Sequence, residues 1–129
     1  MTARAASLQR AVFERRRQAG APIASALDAF AARAAAVSGV PAGASAEAVY
    51  GQAPPSTDTL RFVETMLASI AEAVDGADAA PSVDARDGLS KTRALFAATA
   101  ARWETLVQKD LGVLNGTLTA AGSPALPLP

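Results

Sequence analysis

The sequence predicts an all-α protein, an up-down bundle of four helices plus a short C-terminal helix. Three observations point there. Alanine fills 34 of the 129 positions, and alanine is the strongest helix former because it loses no side-chain entropy in a helix. Apolar residues recur at steps of three and four over long stretches, which lines them along one helical face. Glycine and proline gather between those stretches, where they stop helices and start new ones. Alanine buries little area, so the expected core is thin and the stability near the low end of the usual ~5–15 kcal/mol.

The first helix is expected over Arg4 to Ala19, with Ala5, Leu8, Val12 and Ala19 on one face and Arg10 and Arg17 outward. Gly20, Ala21 and Pro22 interrupt it. Pro22 removes a backbone donor in a helix interior but suits a first turn, so a fresh start is favoured over a kink. The second helix runs to about Val37. Ile23, Leu27, Phe30, Ala34 and Val37 form its stripe, and Gly39 is placed for a left-handed cap. Residues 40 to 56 read as an extended connection with a possible helical turn around Ala46–Tyr50.

The third helix is expected to start near Ser56 or Thr57, with Asp58 in a first turn where its charge suits the helix dipole. Leu60, Val63, Leu67, Ile70, Val74 and Ala77 give the cleanest periodicity in the chain, and Phe62 and Met66 widen that face. Arg61, Glu64, Ser69, Glu72 and Asp75 fall off it. Pro81 forbids continuation, and Ser82 is the next N-cap with Asp84 in the first turn. The fourth helix places Ala85, Leu89, Phe96, Trp103 and Leu106 inward, with Thr92, Thr99 and Ala100 between them. Leu89, Phe96 and Trp103 are spaced by sevens and define one seam. The short turn makes the third and fourth helices antiparallel neighbours at the centre of the bundle. Asp110 is read as the cap of a last short helix carrying Leu111, Leu114 and Leu118 inward, ended by Gly122. Gly112 and Gly116 weaken it by roughly 1 kcal/mol each, so it must lean on the hairpin. Residues 1–122 thus form one domain, and 123–129 an extended proline-rich tail.

Histidine and cysteine are both absent. That removes the commonest general base, the commonest metal ligand and all thiol chemistry. Twelve basic and twelve acidic residues cancel, which argues against a dedicated nucleic-acid binder. The charge is polarised: Arg4, Arg10, Arg15, Arg16, Arg17 and Arg33 dominate the first part, and eight acids lie between Glu47 and Asp87. These halves are expected to attract each other. No apolar run reaches the ~20 residues of a membrane span, and the start lacks the apolar core of a signal peptide.

Five groups of residues invite a functional reading. Asp75, Asp78, Asp84 and Asp87 surround one turn, as a divalent-cation site would. Their spacing lacks the alternating ligands of a calcium loop, so capping is the better account. Arg15, Arg16 and Arg17 could hold phosphate, but adjacent helical positions point apart, and pairing with the acidic third helix, or plain solvation, is expected instead. Ser90 and Lys91 suggest a serine–lysine dyad, yet neighbours on a helix do not face one another. Trp103 is assigned to the core and Tyr50 to an open loop. Asn115, between Leu114 and Leu118, is expected to tie a helix end to neighbouring backbone. No catalytic, cofactor-binding or metal-ligating residue is assigned.

The stretches Leu60 to Leu67 and Val74 to Ser82 resemble the C-terminal helical region of bacterial sortilin-like, BNR-repeat glycosyl hydrolase proteins. The matching residues are Asp78, Pro81 and Ser82 at the turn, then Trp103, Asp110 with Leu111, Leu114 with Asn115, and Gly122 with Pro124. The likeness covers about residues 54–122. It implies a non-catalytic appendage of an exported β-propeller protein, and no glycosidase carboxylate has a counterpart here. The expected function is a helical packing or interaction module that is not an enzyme and needs no cofactor. Its partner would be protein, either the parent propeller or a second copy. The alternatives are a self-associating scaffold joined through the alanine face of the first two helices, and a bracing segment of a glycosidase-like hydrolase.

Overall fold

The structure, a computed structural model, describes residues 1–44, 48, 52, 54, 56–75 and 82–129. The fold is all-α, with no strand among the described residues. Helix α1 spans Thr2–Gln18 and α2 spans Ala21–Ser38. Helix α3 spans Leu60–Asp75 and α4 spans Val83–Thr105. A π-helical segment, Leu106–Asp110, joins α4 to α5, Leu111–Ala120.

Helices α1 and α2 are separate. Ala19 and Gly20 are both extended, and Pro22 sits in the first turn of α2 as its fixed φ favours. Gly39 ends α2 at φ 74°. A side chain there would be strained by that φ, and its Cβ would lie 2.9 Å from Thr59 Oγ1. The helical turn expected around Ala46–Tyr50 lies, apart from Ala48, outside the described residues.

The core is a three-helix body. Ala5, Leu8 and Val12 of α1 pack with Leu27, Phe30, Ala31, Ala34 and Val37 of α2. The third wall is Trp103, Leu106, Leu111, Leu114 and Leu118, and Leu126 of the tail closes it. Helix α2 touches every other helix and is the hub. Gln9 lies fully buried in this body; its Nε2 donates to the carbonyls of Ala31 at 2.9 Å and Val40 at 3.0 Å. The side chain thereby ties α1 to the middle and the exit of α2.

Two expectations about the C-terminal half are corrected. First, Asp110 does not cap a separate helix. It lies in right-handed helical backbone with no side-chain cap bond, and the chain is helical without a break from Val83 to Ala120. The reason is the spacing of the leucines. Leu106 and Leu111 are five apart, which an α-helix would place on different faces. The π segment bonds Leu111 N–H to the Leu106 carbonyl, one residue further back than α geometry, and so returns both leucines to the core.

Second, the α3–α4 hairpin is not the centre of the molecule. Of α3, only Leu60, Arg61 and Val63 are buried; Leu67 is 39% exposed, and Ile70 and Val74 are half-buried. Along the expected seam of α4, Trp103 is buried, Leu89 is half-buried and Phe96 is 43% exposed. Length explains this. The continuous helix from Val83 to Ala120 runs about 57 Å, while α1, with 17 residues, reaches about 26 Å. Roughly half of that spine therefore projects beyond α1 and α2, and among the described helices it is α3 that packs along it. The α3–α4 pair forms a two-helix arm on a three-helix body.

Candidate functional site

The arm is anchored where it leaves the body. Thr59 caps α3, not Ser56 or Thr57 as expected: its Oγ1 accepts from Phe62 N–H at 3.2 Å. Asp58 precedes the helix and turns toward α4. Its carboxylate meets Arg102 Nη1 at 2.9 Å, and the same nitrogen donates to the Asp58 carbonyl at 3.2 Å. The start of α3 thus lies beside the late part of α4, so the two helices run antiparallel. The Ser56 hydroxyl donates to the Asp58 carboxylate, and that bond, followed by Arg102, holds the carboxyl below its ordinary pKa.

Arg61 is the residue that periodicity assigned wrongly. It was placed off the apolar face, yet it is 8% exposed. Its Nη1 donates to the Gly39 carbonyl at 3.1 Å and its Nη2 to the Gln52 carbonyl at 2.7 Å. A guanidinium can satisfy several carbonyls in fixed directions, so Arg61 locks α3 to the end of α2 and to the connection before it. The signal in the sequence was weak: one basic residue beside a helix start, facing carbonyls that only the fold brings near.

Beyond this anchor the arm carries an open apolar groove. Leu60, Val63 and Leu67 of α3 face Phe96 of α4, and Met1 and Thr2 close one end. Glu64 stands on its edge. Leu89 lies one heptad before Phe96 and Val74 one heptad after Leu67, so the apolar floor continues toward the far end of the arm. Thr92 and Thr99 of α4 are buried, and the Thr99 hydroxyl lies 3.5 Å from the Asp58 carbonyl just before α3.

The other candidates resolve as follows. Asp84 sits in the first turn of α4, and Ser82 caps that helix by accepting from Ala85 N–H at 3.1 Å, as expected. Asp75 and Asp87 are exposed, Asp78 lies outside the described residues, and no cluster able to hold a metal occurs among those described. The arginine triplet spreads in three directions. Arg16 pairs with Asp28 of α2 at 3.0 Å, Arg17 lies 3.7 Å from Glu14, and Arg15 donates to the Pro124 carbonyl. Of the two expectations, pairing with α3 or plain solvation, the first is not met: the chain reversal after Gly20 brings Asp28 alongside Arg16, and both side chains stay about half exposed. Among the described residues no ion pair joins the basic first part to the acids of residues 56–87.

Ser90 and Lys91 are both exposed on α4. Trp103 is 4% exposed, in the core as expected, and Tyr50 lies outside the described residues. Asn115 does what its position suggested. Its Oδ1 accepts from Leu126 N–H at 2.7 Å, and its Nδ2 donates to the Leu126 carbonyl at 3.1 Å. Of the alanines in the first two helices, Ala5, Ala6, Ala24, Ala31 and Ala34 are buried within the chain, whereas Ala32, Ala35 and Ala36 line an open surface near Gly39. No described helix is long and apolar enough to cross a membrane. Compared with protein-family models, curated proteins and solved structures, the chain matches none.

Proposed function

We propose that this chain is a non-catalytic helical interaction module whose working surface is the groove of the α3–α4 arm. One observation carries the reading: the two longest apolar stripes of the sequence continue past the ends of α1 and α2, leaving Leu67 39% and Phe96 43% exposed side by side. Contiguous apolar surface of that kind marks a place where another surface packs. The complete absence of histidine and cysteine supports the non-catalytic part. The resemblance to sortilin-like C-terminal regions extends the proposal to an appendage of an exported propeller protein.

A photo-reactive phenylalanine analogue at position 96 tests the reading, with the same group at Val113, which is 73% exposed on α5, as the control. In an extract of the source cells, position 96 should give one discrete protein adduct that Leu67→Ser abolishes, and position 113 none. Equal labelling from both positions, or none from either, would contradict it.

A further inference from the structure

We infer that the arm groove receives a single amphipathic helix of a partner polypeptide, laid end to end with α1 and carrying basic residues on one flank and acidic residues on the other. The inference rests on the module reading above and names its partner's chemistry.

The first support is continuity. On the body, Trp103 and Leu106 of the spine share one core cluster with Ala5, Leu8 and Val12 of α1, and Met1 and Arg4 line a pocket with Trp103 and Val107. Helix α1 begins at Thr2, at the mouth of the groove formed by Leu60, Val63, Leu67 and Phe96. The same stripe therefore runs from a stretch seated under a helix into a stretch that is open. What fits the first stretch fits the second. From Val63 to Asp75 the groove is about 18 Å long, room for roughly three to four helical turns.

The second support is charge. At 100° per residue, Glu64 and Asp75 stand about 60° and 80° around α3 from Leu67, on the side away from buried Val63. Arg93 stands about 60° around α4 from Phe96, on the side away from buried Thr92 and Thr99. The α3 rim is thus acidic and the α4 rim basic, and all three rim residues are exposed. A helix with opposite flanks meets both rims favourably, and the rims set the direction in which it lies.

A second copy of the chain fits less well. A two-fold pairing that stacks α3 of one copy on α4 of the other would drive both α1 helices into one seat. The two-fold that avoids this collision sets one acidic α3 rim on the other.

The test uses the full chain and three labelled synthetic helices of about 16 residues, each with one leucine stripe. One has a lysine flank and a glutamate flank, one has lysine on both, and one has glutamate on both. Fluorescence anisotropy at low salt should show the two-signed peptide binding about tenfold tighter than either of the others. Leu67→Ser with Phe96→Ser should abolish binding while leaving the helical circular dichroism spectrum unchanged. Glu64→Arg with Asp75→Arg, which makes both rims basic, should move the preference to the all-glutamate peptide. Equal binding of the three peptides, no binding at millimolar peptide, or binding that survives the serine pair would overturn the inference. A concentration-dependent dimer that the serine pair dissolves would also overturn it, in favour of a second copy. That outcome, or an adduct at position 96 without any peptide preference, would leave the module reading standing.

Discussion

Asn115 shows how much a single polar residue decides here. Its amide pairs both backbone groups of Leu126, which is 4% exposed in the core. Asn115→Ala leaves a half-buried N–H and carbonyl unpaired, and should cost about 1–3 kcal/mol in denaturant unfolding. A double-mutant cycle with Leu126→Ala should show strong coupling, because both changes release the same tail. Asp58 supplies the pH dependence. Its folded pKa is depressed, first by Ser56 and then by Arg102. Its contribution is therefore complete above the ordinary carboxylate value, about 3.9, and fades as pH falls through the lower folded value. The melting temperature of Asp58→Asn should lie below that of the parent at neutral pH and converge with it in strong acid. Asn115 was legible in the sequence because an amide amid inward leucines has few other uses. Arg61 and Gln9 were not, because their partners are carbonyls 9 to 31 residues distant along the chain.

At the scale of the elements, periodicity located α1, α2, α3 and the start of α4 to within a few residues, but missed the π segment that runs α4 on into α5. It also chose the inward leucines of α5 correctly, since Leu111, Leu114 and Leu118 are all at most 4% exposed. It failed where two helices share one pattern in different surroundings. Leu89, Phe96 and Trp103 are equivalent by sequence, but only Trp103 lies at the level of α1 and α2. Trp103→Ala should therefore cost about 3–5 kcal/mol, and Phe96→Ala well under half of that, as measured by chemical denaturation. Equal costs would show that the arm is covered. Asp110, read from the sequence as a cap, instead lies in a π segment that spans the five-residue step from Leu106 to Leu111. A π segment resolves that step without ending the helix, and local propensity does not distinguish the two.

On the scale of the whole molecule, the chain is a body and an arm built on one long helix. The alanine-rich body gains stability from close packing of α1 against α2 and the spine, with Gln9 and Arg61 fastening its exits. Among the described helices the arm has α3 against α4, where the buried residues of α4 before Trp103 are the small Thr92 and Thr99, so it buries less apolar area per residue. Its outer stripe is the surface assigned to a partner helix. The class of fold was legible because alanine content and spacing are properties of segments. The division into body and arm was not, because it depends on how far α1 reaches along a spine of different length. Native-state hydrogen–deuterium exchange measures that division directly. Amides of residues 64–75 and 83–96 should open at markedly lower free energy than those of residues 5–12, 24–37 and 103–118, and should slow when the two-signed peptide is added. Uniform protection along the spine, unchanged by the peptide, would contradict both the arm and the function assigned to it.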